Sequence, residues 1–227
     1  MYLIIISALL PVAILLAYVL IKDRQSPEPF GQLLKAFLFG LLSVPLSLCM
    51  SVPFGWAGLY PDQAITVGDS VASAFFGAAI PEELAKLIML WLLLRKNVHY
   101  DEKLDGIVYA VFVSMGFAAL ENLMYVFGSE DFLSVAVQRA LFAIPGHFCF
   151  AVLMGYYYSL VKFCPTGRFR NGLLAVAAPI LAHGIYDSIL FVIEVSPAVS
   201  GILMVVFLFF CWKMWKLGRR KIAEHLC

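Results

Sequence analysis

Apolar residues run along this chain in blocks of about twenty, and short stretches between the blocks collect most of the charges. A block of that length is what a helix needs to cross a bilayer. Seven are present, at about 2–21, 33–55, 70–94, 106–127, 134–161, 171–193 and 197–216, and each predicts a membrane-spanning helix. The first has no basic stretch ahead of it and no small-residue cleavage site, and Lys22-Asp23-Arg24 follows it. It predicts an uncleaved helix rather than a signal peptide. No internal repeat, low-complexity stretch or soluble domain interrupts the series. The expectation is one all-α, polytopic membrane domain over 1–227. An odd number of spans with no pairing between halves argues against an inverted-repeat transporter.

Composition agrees with the pattern. Of 227 residues, 63% are hydrophobic and 14% charged, which excludes a water-soluble globular protein. A net charge of +1 offers no basic surface to nucleic acid. Cys49, Cys149 and Cys211 fall in apolar blocks, Cys164 in a basic loop and Cys227 at the terminus, with no CxxC. Neither a disulfide framework nor a zinc ribbon is expected.

The loop charges alternate. Lys22, Arg24 and Lys35 flank the first loop, Arg95, Lys96 and Lys103 the third, Lys162, Arg168 and Arg170 the fifth, and Lys213 to Lys221 the tail. The other loops carry only Arg139 among basic residues, beside Asp62, Asp69, Glu130, Asp131 and Glu194. The positive-inside rule then predicts an N-terminus outside and a cytoplasmic C-terminus.

Seven ionisable residues are left within the spans: Glu82, Glu83, Lys86, Glu121, His147, His183 and Asp187. A charged group at the centre of a bilayer costs on the order of 2.5–3.5 kcal/mol, so these residues must face one another. Counting about 1.5 Å per residue puts Glu82, His147 and His183 roughly 18 Å into their spans, and Glu121 and Asp187 nearer the outer surface, roughly 9 Å from it. Ser70, Ala74, Ala78, Glu82 and Lys86 form a row at i, i+4, with small residues that let a neighbouring helix come close. Lys86 can reach either glutamate, His183 and Asp187 pair at i, i+4, and Glu121 and Tyr125 repeat that spacing. Pro81, Pro145 and Pro179 lie just ahead of Glu82, His147 and His183 and would free the carbonyls of Gly77, Leu141 and Ala175. Such breaks survive at membrane depth only beside protein or trapped water, which predicts a hydrated cavity.

Two carboxylates and two histidines around water suit hydrolysis. In one reading Glu82 or Glu83 takes a proton from water, and histidine with Asn or Lys donors stabilises the oxyanion. In the other His147, His183 and one of Glu82 or Glu83 bind Zn2+ and the second glutamate is the base. No HExxH is present to favour the metal, and no GxSxG points to a serine nucleophile. A proton-coupled transporter or channel using the same groups as a relay is the competing class. A non-catalytic scaffold is a third.

The ordered residues resemble the PrsW family of bacterial intramembrane proteases, within the wider superfamily of CAAX prenyl proteases and bacteriocin-immunity proteins. The resemblance rests on Ser26-Pro27-Glu28-Pro29-Phe30, Glu82-Glu83-Leu84-Ala85-Lys86, Asp105-Gly106-Ile107-Val108-Tyr109 and Gly116 to Asn122 with Tyr125. His147 with Gly155, and His183-Gly184-Ile185-Tyr186-Asp187, complete it. It implies a multi-pass protein of the bacterial cell membrane that makes the first, extracytoplasmic-side cut in a single-span anti-sigma factor, freeing an envelope-stress sigma factor. Glu82, Glu83, His147 and His183 match the family's catalytic positions, and Lys86, Glu121, Asn122, Tyr125 and Asp187 would support them. The CAAX-type arginine four residues after the second glutamate is Leu87 here, which argues against prenylated-protein processing.

Overall fold

The computed structural model describes residues 2–226, so Cys227 lies outside it. The described residues form helices joined by short connections, and no strand occurs among them. Helices α1 (Tyr2–Lys22) and α2 (Phe30–Trp56) come first. A third run is made of α3 (Val67–Ala72), a π-helical segment (Ser73–Ala79) and α4 (Ile80–Leu94). Then come α5 (Lys103–Phe127) and a second broken run of α6 (Phe132–Gln138), a π-helical turn (Arg139–Ala143) and α7 (Ile144–Phe163). Helix α8 (Arg168–Val195) and a 3-10 turn lead into α9 (Ser200–Leu226). Cys49, Cys149, Cys164 and Cys211 are free thiols.

Six helical stretches are long and apolar enough to cross a membrane. The run Val67–Leu94 is not among them. Asp69, Glu82, Glu83 and Lys86 are spaced so that any 18-residue stretch of it contains at least three of them. The last helix continues ten residues past the predicted end at 216, because Gly218, Ile222 and His225 still find buried places against the bundle.

Helix α5 is the axis of the bundle. It is buried on nearly every face, packed between α2, α7 and α1. Its crossings depend on glycine: a Cβ on Gly116 would run into the Phe37 carbonyl of α2, and one on Gly155 of α7 into the Gly106 carbonyl of α5. Small residues let backbones approach where the surrounding solvent is lipid and gives no hydrophobic push. Helices α1 and α9 lie on the outside and expose most of their apolar side chains, as lipid-facing helices do.

Two of the prolines sit differently from the simple expectation of a freed carbonyl in a straight helix. Pro81 and Pro145 each follow a π turn, in which the preceding residue bonds five back: Ile80 N–H to Phe75, and Ile144 N–H to Arg139. The wide turn absorbs the missing donor without breaking the helix, and such turns recur at functional sites. Pro179 lies inside α8 with no such turn.

Candidate active site

The two π turns serve equivalent purposes. Glu83 on α4 and His147 on α7 are each two residues past their proline, and the turns aim both at the same point between α4, α5, α7 and α8. One donor atom from each of Glu82, Glu83, His147 and His183 lies within 4.8 Å of the others. These are the four residues the sequence selects as catalytic.

Lys86 ties the centre together. Its Nζ is 2.8 Å from Glu83 Oε1, 3.2 Å from Glu82 Oε2 and 3.2 Å from His147 Nδ1, and 4.0 Å above the Phe117 ring. Both histidines are held alike. His147 rests Nε2 on Glu121 Oε2 at 2.9 Å, and His183 rests Nε2 on Asp187 Oδ2 at 3.2 Å. That leaves both Nδ1 atoms facing inward, His147 towards Lys86 and His183 towards Glu83 Oε1 at 2.9 Å. Phe150 stacks on the His183 ring at 4.8 Å, and Ser114 Oγ donates to the His147 carbonyl at 3.1 Å.

The two glutamates have separate environments. Glu83 is buried, its side chain 1% exposed, and its Oε2 has no hydrogen-bond partner among the described residues. Glu82 is 14% exposed and lines a cavity of about 560 Å³ with Glu121, His147, His183 and Asp187. Phe142, Met204 and Phe207 form an apolar side of that cavity, between the second π turn and α9.

Arg139 escaped the sequence analysis, which left it in an exterior loop. It sits on the second π turn and lines the cavity. Its Nη2 is 2.5 Å from Glu121 Oε2, its Nε 2.7 Å from Asn122 Oδ1, and its guanidinium 4.2 Å from the Tyr125 ring centre. It was detectable, being a lone cation inside an apolar block, the same signal that marked Lys86. Phe117 and Phe150 gave no signal, since nothing distinguishes them from the other phenylalanines in the sequence.

Asn122 has a different place from the one the oxyanion reading needs. It is fully buried, donating to the Ala8 carbonyl at 2.7 Å and accepting from Arg139, and so joins α5 to α1. Lys86 is likewise buried behind the cavity wall. Arg139 is the cationic side chain on the cavity wall itself.

The donor set fits a divalent metal. Two imidazoles with carboxylate-held outer nitrogens and a glutamate oxygen with no partner are the ingredients of a His2Glu site. Charge agrees: among the described residues the site gathers four carboxylates, Glu82, Glu83, Glu121 and Asp187, against two lysine and arginine side chains, Lys86 and Arg139.

A bundle of apolar helices around a buried acid–base cavity is the build of an enzyme that works within the bilayer. Residues 28–214 match the model of the PrsW family of intramembrane metalloproteases. The chain belongs to that family and is a peptidase of a multi-pass bacterial membrane type. It is similar to the protease PrsW of Clostridioides difficile, 36% identical over 96% of this chain and 90% of that protein. The protease PrsW of Geobacillus kaustophilus is 30% identical over 99% and 92%, and that of Bacillus subtilis 31% over 99% and 96%. No solved structure matches. Peptidase membership removes the ground for the transporter and scaffold readings.

Proposed function

We propose that this protein hydrolyses a peptide bond of a single-span anti-sigma factor within the membrane, making the first cut that leads to release of an envelope-stress sigma factor. The observation that carries the catalytic part is the convergence of Glu82, Glu83, His147 and His183 on one point beside a cavity. The substrate follows from the family resemblance.

Glu82 is the general base, since it faces the cavity where water and a peptide can enter. His147, His183 and Glu83 are the residues that would hold a metal, and when bound it would supply Lewis-acid polarisation of water and of the scissile carbonyl. Lys86 fixes both glutamates from behind, Glu121 and Asp187 fix the tautomers of the histidines, and Arg139 holds Glu121 in place against His147. Phe142, Met204 and Phe207 give an apolar side against which a membrane segment of the substrate can lie.

We further infer seven spans, the charged run Val67–Leu94 being the third, with the N-terminus outside. In support, the basic clusters gather at one end of the bundle: Lys22 shares a groove with Lys216, Lys35 with Lys96, and Arg95 with Lys162. The wider kinship with CAAX proteases is part of the same reading and rests on the motif alone.

The test is cleavage of a single-span anti-sigma factor by purified protein in detergent, wild type beside a folded Glu83→Gln variant. Fragments from wild type alone are expected. Equal fragments in both lanes remove Glu83 from the chemistry, and no fragments from a substrate processed in cells remove the proposed activity.

A further inference from the structure

Of the grooves at the end of the bundle away from the cavity, one is walled by α1 and α9. It has a volume of about 790 Å³ and runs between the last turns of α1 and the second half of α9. Five cations line it, Lys22, Lys213, Lys216, Arg219 and Arg220, and no acidic residue does. On α9, Lys213, Lys216 and Arg220 follow one another at three and four residues and so share a face.

Two features separate this groove from the ordinary excess of lysine and arginine beside a membrane. The first is that most of its charge has no acidic partner, Lys22 lying over the Tyr18 ring and Lys213 and Lys216 over Trp212. Among the described residues, Arg220 alone of the five pairs with an acid, Glu224 at 3.4 Å, while neighbouring Lys221, outside the groove, takes the shorter bond to Glu224 at 2.8 Å. The second is an apolar floor. The buried Ile222 and half-buried Leu217 form it, with the exposed Leu226 beside them, and Tyr18 closes one side where it packs on Trp215 at 5.9 Å.

The tail that forms one wall is fixed in place. His225 stacks on Tyr156 at 4.3 Å, Tyr156 Oη donates to Glu224 at 2.6 Å, and Lys221 lies 4.0 Å over the same ring. The groove is therefore built and held, not a gap beside a loose tail. At about 1.5 Å per residue the 27-residue α9 is roughly 40 Å long, against a hydrocarbon core of about 30 Å, so its last turns stand at headgroup level.

We infer that this groove binds an anionic diacyl phospholipid, the cations holding the phosphate and headgroup and the apolar floor taking the start of the acyl chains. Basic pockets between helices at a membrane face take such headgroups, and each cation near the surface strengthens the attraction. A lipid seated there would bridge α1 to α9, two outer helices that otherwise meet lipid.

The experiment uses the full chain in dodecyl maltoside, titrated with phosphatidylglycerol or phosphatidylcholine, with bound lipid counted by native mass spectrometry. Lys22→Gln/Lys213→Gln/Lys216→Gln/Arg219→Gln is compared with a control of equal charge change, Lys35→Gln/Lys96→Gln/Arg168→Gln/Arg170→Gln. Lys216→Gln alone is included, and circular dichroism checks that each variant is folded. Wild type and control are expected to retain one phosphatidylglycerol in preference to phosphatidylcholine by about tenfold or more, with the fourfold groove variant losing the preference and Lys216→Gln reducing it. Undiminished preference in the groove variants overturns the site. Equal loss in the control reduces the effect to general charge and overturns it too. Displacement of the lipid by millimolar glycerol phosphate would show a site for soluble phosphate, and the lipid assignment would fail.

Discussion

Glu82 and Glu83 are adjacent in sequence and opposite in circumstance. One borders the cavity, and the other is buried against Lys86 and His183. Their amides should therefore fail differently. On the proposed assignment Glu82→Gln removes the base, and it is expected to lower kcat by about 100-fold or more while metal content stays at the wild-type level. Glu83→Gln is expected to lose activity and bound metal together, read by elemental analysis of the purified protein. Equal metal in both variants would exchange or merge the two roles. Arg139 acts at one remove, through Glu121 to His147. Arg139→Ala and Glu121→Gln should each lower kcat by about 10- to 100-fold, as loss of an outer partner of a site histidine does. The double variant should be no worse than the poorer single one, since both cut the same chain of contacts. Multiplying effects would mean that Arg139 contacts substrate independently.

Among the elements, the α2–α5 crossing gives the sharpest test of the packing. Alanine is favoured over glycine within a helix by about 1 kcal/mol, so propensity alone predicts that Gly116→Ala stabilises. The obstacle is the Phe37 backbone carbonyl, which cannot move without parting the helices. Overpacking typically costs about 1–3 kcal/mol, so a net loss is expected as a lower unfolding midpoint in detergent. Gly31→Ala on the same α2, where a new Cβ meets nothing within 4 Å, is the control and should be neutral or slightly favourable. The helices were legible because lipid leaves the backbone few alternatives and imposes a length on each apolar block. The grouping of Glu82, Glu83, His147 and His183 was legible because ionisable groups in hydrocarbon must find each other. Arg139 carried a signal, a lone cation within an apolar block, but six residues into that block it reads as a loop until the helix is seen to continue through a π turn. The separation of the two glutamates was beyond reach. It depends on which flank of α4 the cavity occupies, and periodicity around one helix does not contain that.

For the molecule as a whole, a second set of buried acids lies at the end opposite the site, in the turn between α1 and α2. Glu28 is buried and accepts a hydrogen bond from Tyr109, and the Glu28 N–H donates to Asp23 Oδ2 at 3.3 Å. Burial pushes the Glu28 carboxyl up to about 8, with the Asp105 and Asp23 charges adding and the Tyr109 hydroxyl opposing. Burial likewise raises Asp23 to about 6, opposed by the Glu28 N–H and helped by Asp105 and Glu102. A carboxyl that holds its proton more tightly when folded adds stability below its unfolded pKa and loses it as pH rises through the folded value. Unfolding midpoints in detergent are therefore expected to fall between about pH 4.5 and 8, with Glu28→Gln flattening most of that slope. A slope unchanged in Glu28→Gln would assign the pH dependence to other groups.

An α-helix is a screw of fixed pitch, and the bearing of any side chain follows from counting. The wide turns at Ser73–Ala79 and Arg139–Ala143 put that count out of step, so the row from Ser70 to Lys86 is not one straight stripe. Glu83 and His147 point at each other across two helices because each is preceded by a stretch that holds more chain per turn than an α-helix would. Winding either stretch at the ordinary pitch, with its residue count unchanged, would swing everything beyond it by about 100°. The active site is thus encoded partly as arithmetic. In those two segments the bearing of everything downstream is set by how the residues are wound, and not by their number alone.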